Sequence, residues 1–122
     1  MFKYHNANPL GRHVNDCTVR AISLATGSSW DETYQELGHF ARLQGIMPDD
    51  VVYIDDYLSH KFNRICCPNK VKMTVGDFIK MHPYGVYLIT MNGHITCCID
   101  GIVYDTFNPC DRLIWDAYKV KE

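Results

Sequence analysis

The stretch Asn92-Gly93-His94-Ile95-Thr96-Cys97-Cys98-Ile99-Asp100-Gly101-Ile102-Val103-Tyr104-Asp105 decides the fold. Asn92-Gly93 and Asp100-Gly101 are both dipeptides of the type I′ hairpin turn. Taken as two-residue loops, they delimit strands over Val86 to Met91, His94 to Ile99 and Ile102 to Phe107, a three-stranded antiparallel meander. The turns then set the register. Ile99 pairs with Ile102, Cys97 with Tyr104, Thr96 with Asp105 and His94 with Phe107.

In that register His94 and Asp105 share a face as diagonal neighbours, about 7–8 Å apart at the backbone, a gap that a carboxylate reaching for an imidazole closes. Asn108, the other possible partner of His94, has the opposite parity. A histidine oriented by a carboxylate on the next strand is half of a nucleophilic constellation and asks for a third member. Cys17 supplies one. Asn15 or Asp16 caps a helix that runs through Cys17-Thr18-Val19-Arg20-Ala21-Ile22-Ser23-Leu24-Ala25-Thr26 and stops at Gly27, a glycine suited to the left-handed cap. Val19, Ala21, Ile22, Leu24 and Ala25 cover more than one face of this helix, which marks it as central and buried on most sides.

Away from these elements the sequence is that of an ordinary soluble domain. Its 122 residues are 47% hydrophobic and 21% charged, enough for one domain with a real core. Twelve basic against fourteen acidic residues give a formal charge of -2 and no Lys/Arg run, which argues against nucleic acid as a partner. No segment has transmembrane length and no signal-peptide pattern is present, so a cytoplasmic protein without a membrane partner is expected. Of the six cysteines, four form the adjacent pairs Cys66-Cys67 and Cys97-Cys98. Free thiols are the expectation in a reducing compartment. Without a Cys-x-x-Cys or His-x-x-x-His spacing, neither a metal nor another cofactor is expected. No motif speaks to the oligomeric state.

Residues 1 to 14 read as an irregular arm, long enough to lie over a groove, with Asn8-Pro9 and Gly11 as turn signals. Ser29 and Glu32 form a capping box for a second helix that presents Trp30, Tyr34, Leu37 and Ala41 to the core. Asp49 or Asp50 opens a third helix with Val51, Ile54, Leu58 and Phe62 on one side, and Asp55 and Asp56 in solvent. Cys66-Cys67-Pro68-Asn69 reads as a loop or a short strand with a turn. Thr74 and Asp77 cap a short helix, Val75 to Met81, that must end by His82 because Pro83 follows. A final strand is expected within Arg112 to Val120. Helices followed by an antiparallel sheet make a single α+β domain over residues 1–122.

Asn15-Asp16-Cys17-Thr18-Val19-Arg20-Ala21, with Gly93-His94 and Tyr104-Asp105, resembles the papain-like cysteine peptidase superfamily. Within it, the likeness is to small bacterial and phage proteins related to the peptidase domains that process double-glycine leader peptides. The resemblance implies N-terminal helices, with the nucleophile helix packed on a C-terminal antiparallel sheet. It further implies Cys17 as nucleophile, His94 as general base and acid, and Asp105 as the residue that orients the imidazole. Members with demonstrated activity usually carry a Gln six residues before the nucleophile; Gly11 stands there in this chain. Asn15 is then the candidate oxyanion donor, with Asn6 and Asn8 of the arm as further possibilities. Asp16 adjoins the nucleophile and calls for neutralisation by Arg12 or Arg20.

The expected activity is that of a thiol hydrolase cleaving an amide bond, peptide or isopeptide, in a peptide or protein substrate. Two other uses fit the same fold: a catalytically inactive phage or mobile-element module that binds a protein, and an acyltransferase using the same Cys-His pair. Substrate choice belongs to the loops around residues 1 to 14 and 45 to 72.

Overall fold

Asp100 and Gly101 both adopt left-handed backbone, at φ 49° and 79°, as a type I′ turn requires, and the strands on either side pair in the expected register: Ile99 with Ile102, Cys98 with Val103, Cys97 with Tyr104. The carboxylate of Asp100 also accepts a hydrogen bond from the Gly85 amide at 2.8 Å, which ties the turn to the start of the preceding hairpin. At the other turn Met91 faces His94, so the loop is again two residues. There only Gly93, at φ 69°, is left-handed. Asn92 is not, and the turn is therefore not of type I′, in contrast to the sequence reading.

The computed structural model describes residues 1–47, 51–65 and 72–121. In chain order the elements are β1 (Phe2–Tyr4), α1 (Cys17–Thr26), α2 (Trp30–Gln44), α3 (Val51–Lys61), β2 (Asn63–Ile65), α4 (Val75–Met81), β3 (Val86–Met91), β4 (His94–Ile99), β5 (Ile102–Asp105) and β6 (Ile114–Lys121). The expected openings of the third helix at Asp49 or Asp50, and the Cys66 to Asn69 segment, lie outside the described residues. The strands form one sheet in the order β1-β5-β4-β3-β6-β2. The domain is α+β.

Both faces of the sheet are covered, which explains why β3 and β4 are buried almost without alternation. On one face Leu88, Ile95, Cys97 and Tyr118 pack against Ala21, Ile22 and Ala25 of α1, Leu37 and Ala41 of α2, and Tyr57 and Leu58 of α3. On the other, Tyr87, Ile89, Met91, Cys98, Val103 and Ala117 pack against Val75, Phe78 and Ile79 of α4. Cys97 and Cys98 thus point into different cores, as neighbours on a strand must.

The helix signals resolve as written in the sequence. Ser29 and Glu32 close a reciprocal capping box, as do Thr74 and Asp77, and Gly27 ends α1 in the left-handed conformation. Three further expectations fail. The arm contains a strand: Phe2 to Tyr4 pair in parallel with Val103 to Asp105, because β5 has an open edge and three extended residues suffice to cover it. Tyr34 is exposed and stacks on Trp30 at 5.2 Å, so the core stripe of α2 narrows to Leu37 and Ala41, with Thr33. Asp55 and Asp56 are exposed as expected, although Asp55 also accepts the Tyr118 hydroxyl at 3.0 Å. Finally, β5 ends at Asp105 and does not run on to Phe107, because the Asp105 carboxylate takes the Thr106 amide at 2.7 Å and removes it from the ladder.

Two register shifts interrupt the β3–β6 pairing. At one of them Thr90 faces Asp116 and Met91 faces Ile114, which leaves Trp115 as the extra residue of a bulge. The Thr90 hydroxyl fills the gap, accepting from the Asp116 amide at 3.2 Å and donating to its carbonyl at 3.3 Å. The displaced Trp115 side chain, about half exposed, faces the cleft described next.

Candidate active site

Cys17 is the first residue of α1, His94 the first of β4 and Asp105 the last of β5. The fold brings the three to one end of the sheet, where the amino terminus of α1 meets the turn between β3 and β4. The imidazole Nε2 lies 2.7 Å from Asp105 Oδ2, which leaves Nδ1 free of that carboxylate, and the ring and the Cys17 thiol line the same cleft, near enough to shift each other's ionisation.

The electrostatics of the three groups follow from this chain. Burial alone would push the Cys17 thiol up, but the hydrogen bonds from His94 and from the Ile95 amide, with the charges of His94 and Arg20, outweigh it and hold the thiol below its ordinary value. The amino terminus of α1 adds about half a positive charge on the same side. Burial works against the imidazolium as well; hydrogen bonds to Asp105 and Cys17, and their negative charges, reverse this and raise His94 to about 9. Asp105 is held low despite its burial, by His94 and Thr96 above all. The surroundings of each group thus favour its charged form.

Asp105 is only 2% exposed, and every lone pair it needs to place is used. Oδ2 accepts from His94 and, at 2.6 Å, from the Thr96 hydroxyl. Oδ1 accepts from the Thr106 amide and, at 3.3 Å, from Arg20 Nη1. Sequence reasoning missed Thr96 and Arg20 as partners of this carboxylate, although Thr96 stands opposite Asp105 in the register deduced from the turns. Asn108 plays no part: its side chain accepts from the Cys110 amide in the following turn.

Asp16, and not Asn15, is the N-cap of α1, yet its carboxylate makes no capping hydrogen bond. It is buried and accepts from Arg20 Nε at 2.7 Å, Trp30 Nε1 at 2.9 Å and Asn8 Nδ2 at 3.1 Å. Of the two arginines considered, Arg20 is thus its neutralising partner; the Arg12 backbone is occupied by the arm. Asn6 and Asn8 are spent on the arm too. Asn6 accepts from the Asn8 amide and donates to the Arg12 carbonyl, while Asn8 Oδ1 accepts from the Leu10 and Arg12 amides. These side chains turn the arm back on itself, so neither reaches the thiol as an oxyanion donor.

Asn15 is exposed and lines a cleft of about 200 Å³ that opens beside Cys17 and His94. Its apolar walls come from Ile54 of α3, Met91 and Ile95 of the β3–β4 hairpin, and Trp115 from the β6 bulge; Asp55 adds a carboxylate. The 45 to 72 segment contributes to this cleft through α3, as expected, but residues 1 to 14 do not line it; the hairpin and β6 take that place. Outside the cleft the Phe107 ring lies 4.6 Å from the imidazole, with the Arg112 guanidinium 5.0 Å above it.

The two cysteines of β4 are chemically unlike Cys17. Cys97 and Cys98 are fully buried; desolvation pushes Cys97 far up and Cys98 up to about 11. All four described cysteines are free thiols. Among the described residues no group of three or more His, Cys, Asp or Glu side chains is placed to hold a metal ion, and no helix is long and apolar enough to cross a membrane. No family model, curated protein or solved structure matches the chain.

Proposed function

We propose that the protein is a papain-like thiol hydrolase of amide bonds, peptide or isopeptide, with Cys17 as nucleophile, His94 as acid and base, and Asp105 as the group that orients the imidazole. What supports this reading is the pairing of the His94 imidazole with the buried Asp105 at 2.7 Å, with the same ring lowering the pKa of the Cys17 thiol at the edge of an apolar cleft that both residues line. A purely structural cysteine would be expected to sit as an inert hydrophobe with a raised pKa, as Cys97 does.

In the reaction the Cys17 thiolate attacks the amide carbonyl carbon, and the electron pair of the C=O bond moves to oxygen. The Cys17 amide at the start of α1 and the Asn15 side chain are the donors available to that oxyanion; one well-placed donor is worth about 2.7–4 kcal/mol. The His94 imidazolium gives its proton to the amide nitrogen as the C–N bond breaks, which releases an amine and leaves a thioester. The neutral imidazole then takes a proton from water, hydroxide adds to the thioester carbon, and breaking of the C–S bond returns the thiolate and a carboxylic acid. Throughout, Asp105 fixes Nε2 and keeps Nδ1 directed at the sulfur.

Brief alkylation with iodoacetamide at about pH 6, followed by peptide mapping, tests this. Ordinary thiols are almost wholly protonated there, so Cys17 labels faster than Cys66 or Cys110, and His94→Ala slows it. Equal labelling of all three, indifferent to His94, would leave no activated nucleophile and favour a binding module.

A further inference from the structure

The charges behind the imidazole form one continuous network. Arg20 sits one helical turn after Asp16 and spans two carboxylates, Nε to Asp16 Oδ1 at 2.7 Å and Nη1 to Asp105 Oδ1 at 3.3 Å. Its side chain is 11% exposed and those of Asp16 and Asp105 are 7% and 2% exposed, so bulk water screens little of this. Asp16 is in turn fixed by the Trp30 indole of α2. A lysine, with a single point of charge, lacks the planar fork that meets two carboxylates at once.

We propose that Arg20 is the positioning residue of the catalytic chain: it holds Asp105 by the oxygen that His94 does not use, and its charge, offset by Asp16, sets the electrostatic balance in which Cys17 ionises. The proposal rests on Cys17 acting as the nucleophile.

The charge arithmetic gives the direction. With the Cys17–His94 pair neutral, two carboxylates and one guanidinium leave the cluster one unit negative. The internal proton transfer from sulfur to imidazole does not change that total, but a more negative surround opposes the thiolate. Removing Arg20 makes the surround more negative and removing the charge of Asp16 makes it less so. The other elements around the sulfur add few competing charges. β4 contributes His94 and the buried Cys97, β5 contributes Asp105, and α3 contributes Asp55 across the cleft. The residues that β3 brings to the cleft, Thr90 and Met91, and the Trp30 ring of α2 are uncharged.

The test is the pH dependence of Cys17 alkylation by iodoacetamide, from about pH 4 to about pH 9, in four variants whose fold is checked by circular dichroism. In Arg20→Gln the midpoint of labelling moves to higher pH by about one unit, the low end of what a neighbouring charge does. In Asp16→Asn it moves to lower pH. In the double variant the two effects cancel and the midpoint returns towards that of the wild type. Arg20→Lys keeps the charge and hence the midpoint, but turns over an activated p-nitrophenyl ester more slowly after the acylation burst, because deacylation needs the oriented imidazole. A residue that only supported the fold would slow labelling in both single variants alike. Movement of both midpoints in the same direction, or of neither, overturns the proposal. If Arg20→Gln does not fold, Asp16→Asn decides: an upward or absent shift overturns it. The hydrolase reading fails separately, by slow labelling of Cys17 in the unaltered protein.

Discussion

Asp105→Asn is the perturbation that strikes the site hardest while changing its shape least. The amide is isosteric with the carboxylate, but it has one acceptor oxygen for a site that presents four donors, from His94, Thr96, Thr106 and Arg20. Whichever way it turns, an NH2 group meets two of them. His94 is raised from 6.5 to about 9, a difference of about 2.5 pH units, or about 3 kcal/mol in favour of the imidazolium at 1.36 kcal/mol per unit. The hydrogen bond to Asp105 is the largest contribution opposing the burial penalty, followed by the interaction with Cys17 and the negative charges of both groups. Without the carboxylate, the imidazolium keeps its desolvation penalty and loses its main compensation, so the His94 pKa falls by at least about one unit. The imidazole also loses the acceptor that fixes its tautomer, and turnover drops by about 10²-fold or more, as expected when general acid-base catalysis is disabled. Histidine side-chain NMR titration of the variant reads the first effect and ester turnover the second. A His94 that still titrates near 9 would refute the assignment of Asp105 as the source of its basicity.

Two more outcomes follow from the same geometry. In Cys17→Ala, His94 remains paired with Asp105 and keeps a raised pKa, so its contribution to stability is complete below the unfolded value of 6.5 and is lost as pH rises through the folded value. In the unaltered protein the lowered Cys17 thiol gives up a proton that the unfolded chain keeps, which offsets the proton that His94 retains, so stability is flatter above 6.5 than in the variant; urea midpoints at several pH values compare the two, and identical slopes would contradict the ion pair. Trp115→Ala removes a half-exposed cleft wall and not a core side chain. It should raise KM for peptide substrates several-fold and leave the labelling of Cys17 by small iodoacetamide unchanged; a matching loss of labelling would mean that Trp115 supports the nucleophile itself.

The grouping of Cys17, His94 and Asp105 was legible in the sequence because each member is fixed by a short-range signal. Asp100-Gly101 sets the strand register, register sets the common face of His94 and Asp105, and a cap followed by Gly27 sets the helix that Cys17 begins. What lay hidden depended on contacts between distant segments. Nothing local marks Phe2 to Tyr4 as a strand, since its pairing is provided by the edge of β5 about a hundred residues later. The spacing of Asp16 and Arg20 is the ordinary helical i,i+4 pair, and only the approach of β5 converts it into a bridge to Asp105. The bulge at Trp115 was equally silent: three successive apolar residues, Leu113, Ile114 and Trp115, break the alternation of a strand, but which of them is displaced depends on Thr90 across the ladder.

The position of β6 bears on how the chain survives its own synthesis. The eight residues Ile114–Lys121 are the last strand in the sequence, yet they lie inside the sheet, between β3 and β2. Until they emerge from the ribosome, β3 displays one unpaired edge of almost wholly apolar residues, and the short β2 has no sheet to join. That interval exposes the chain to edge-to-edge association. Trimming the chain back into β6 would recreate the same state permanently, and would take away a cleft wall as well. Proteolysis or an early stop near residue 113 therefore yields a sticky remnant that lacks the Trp115 wall of the cleft beside Cys17.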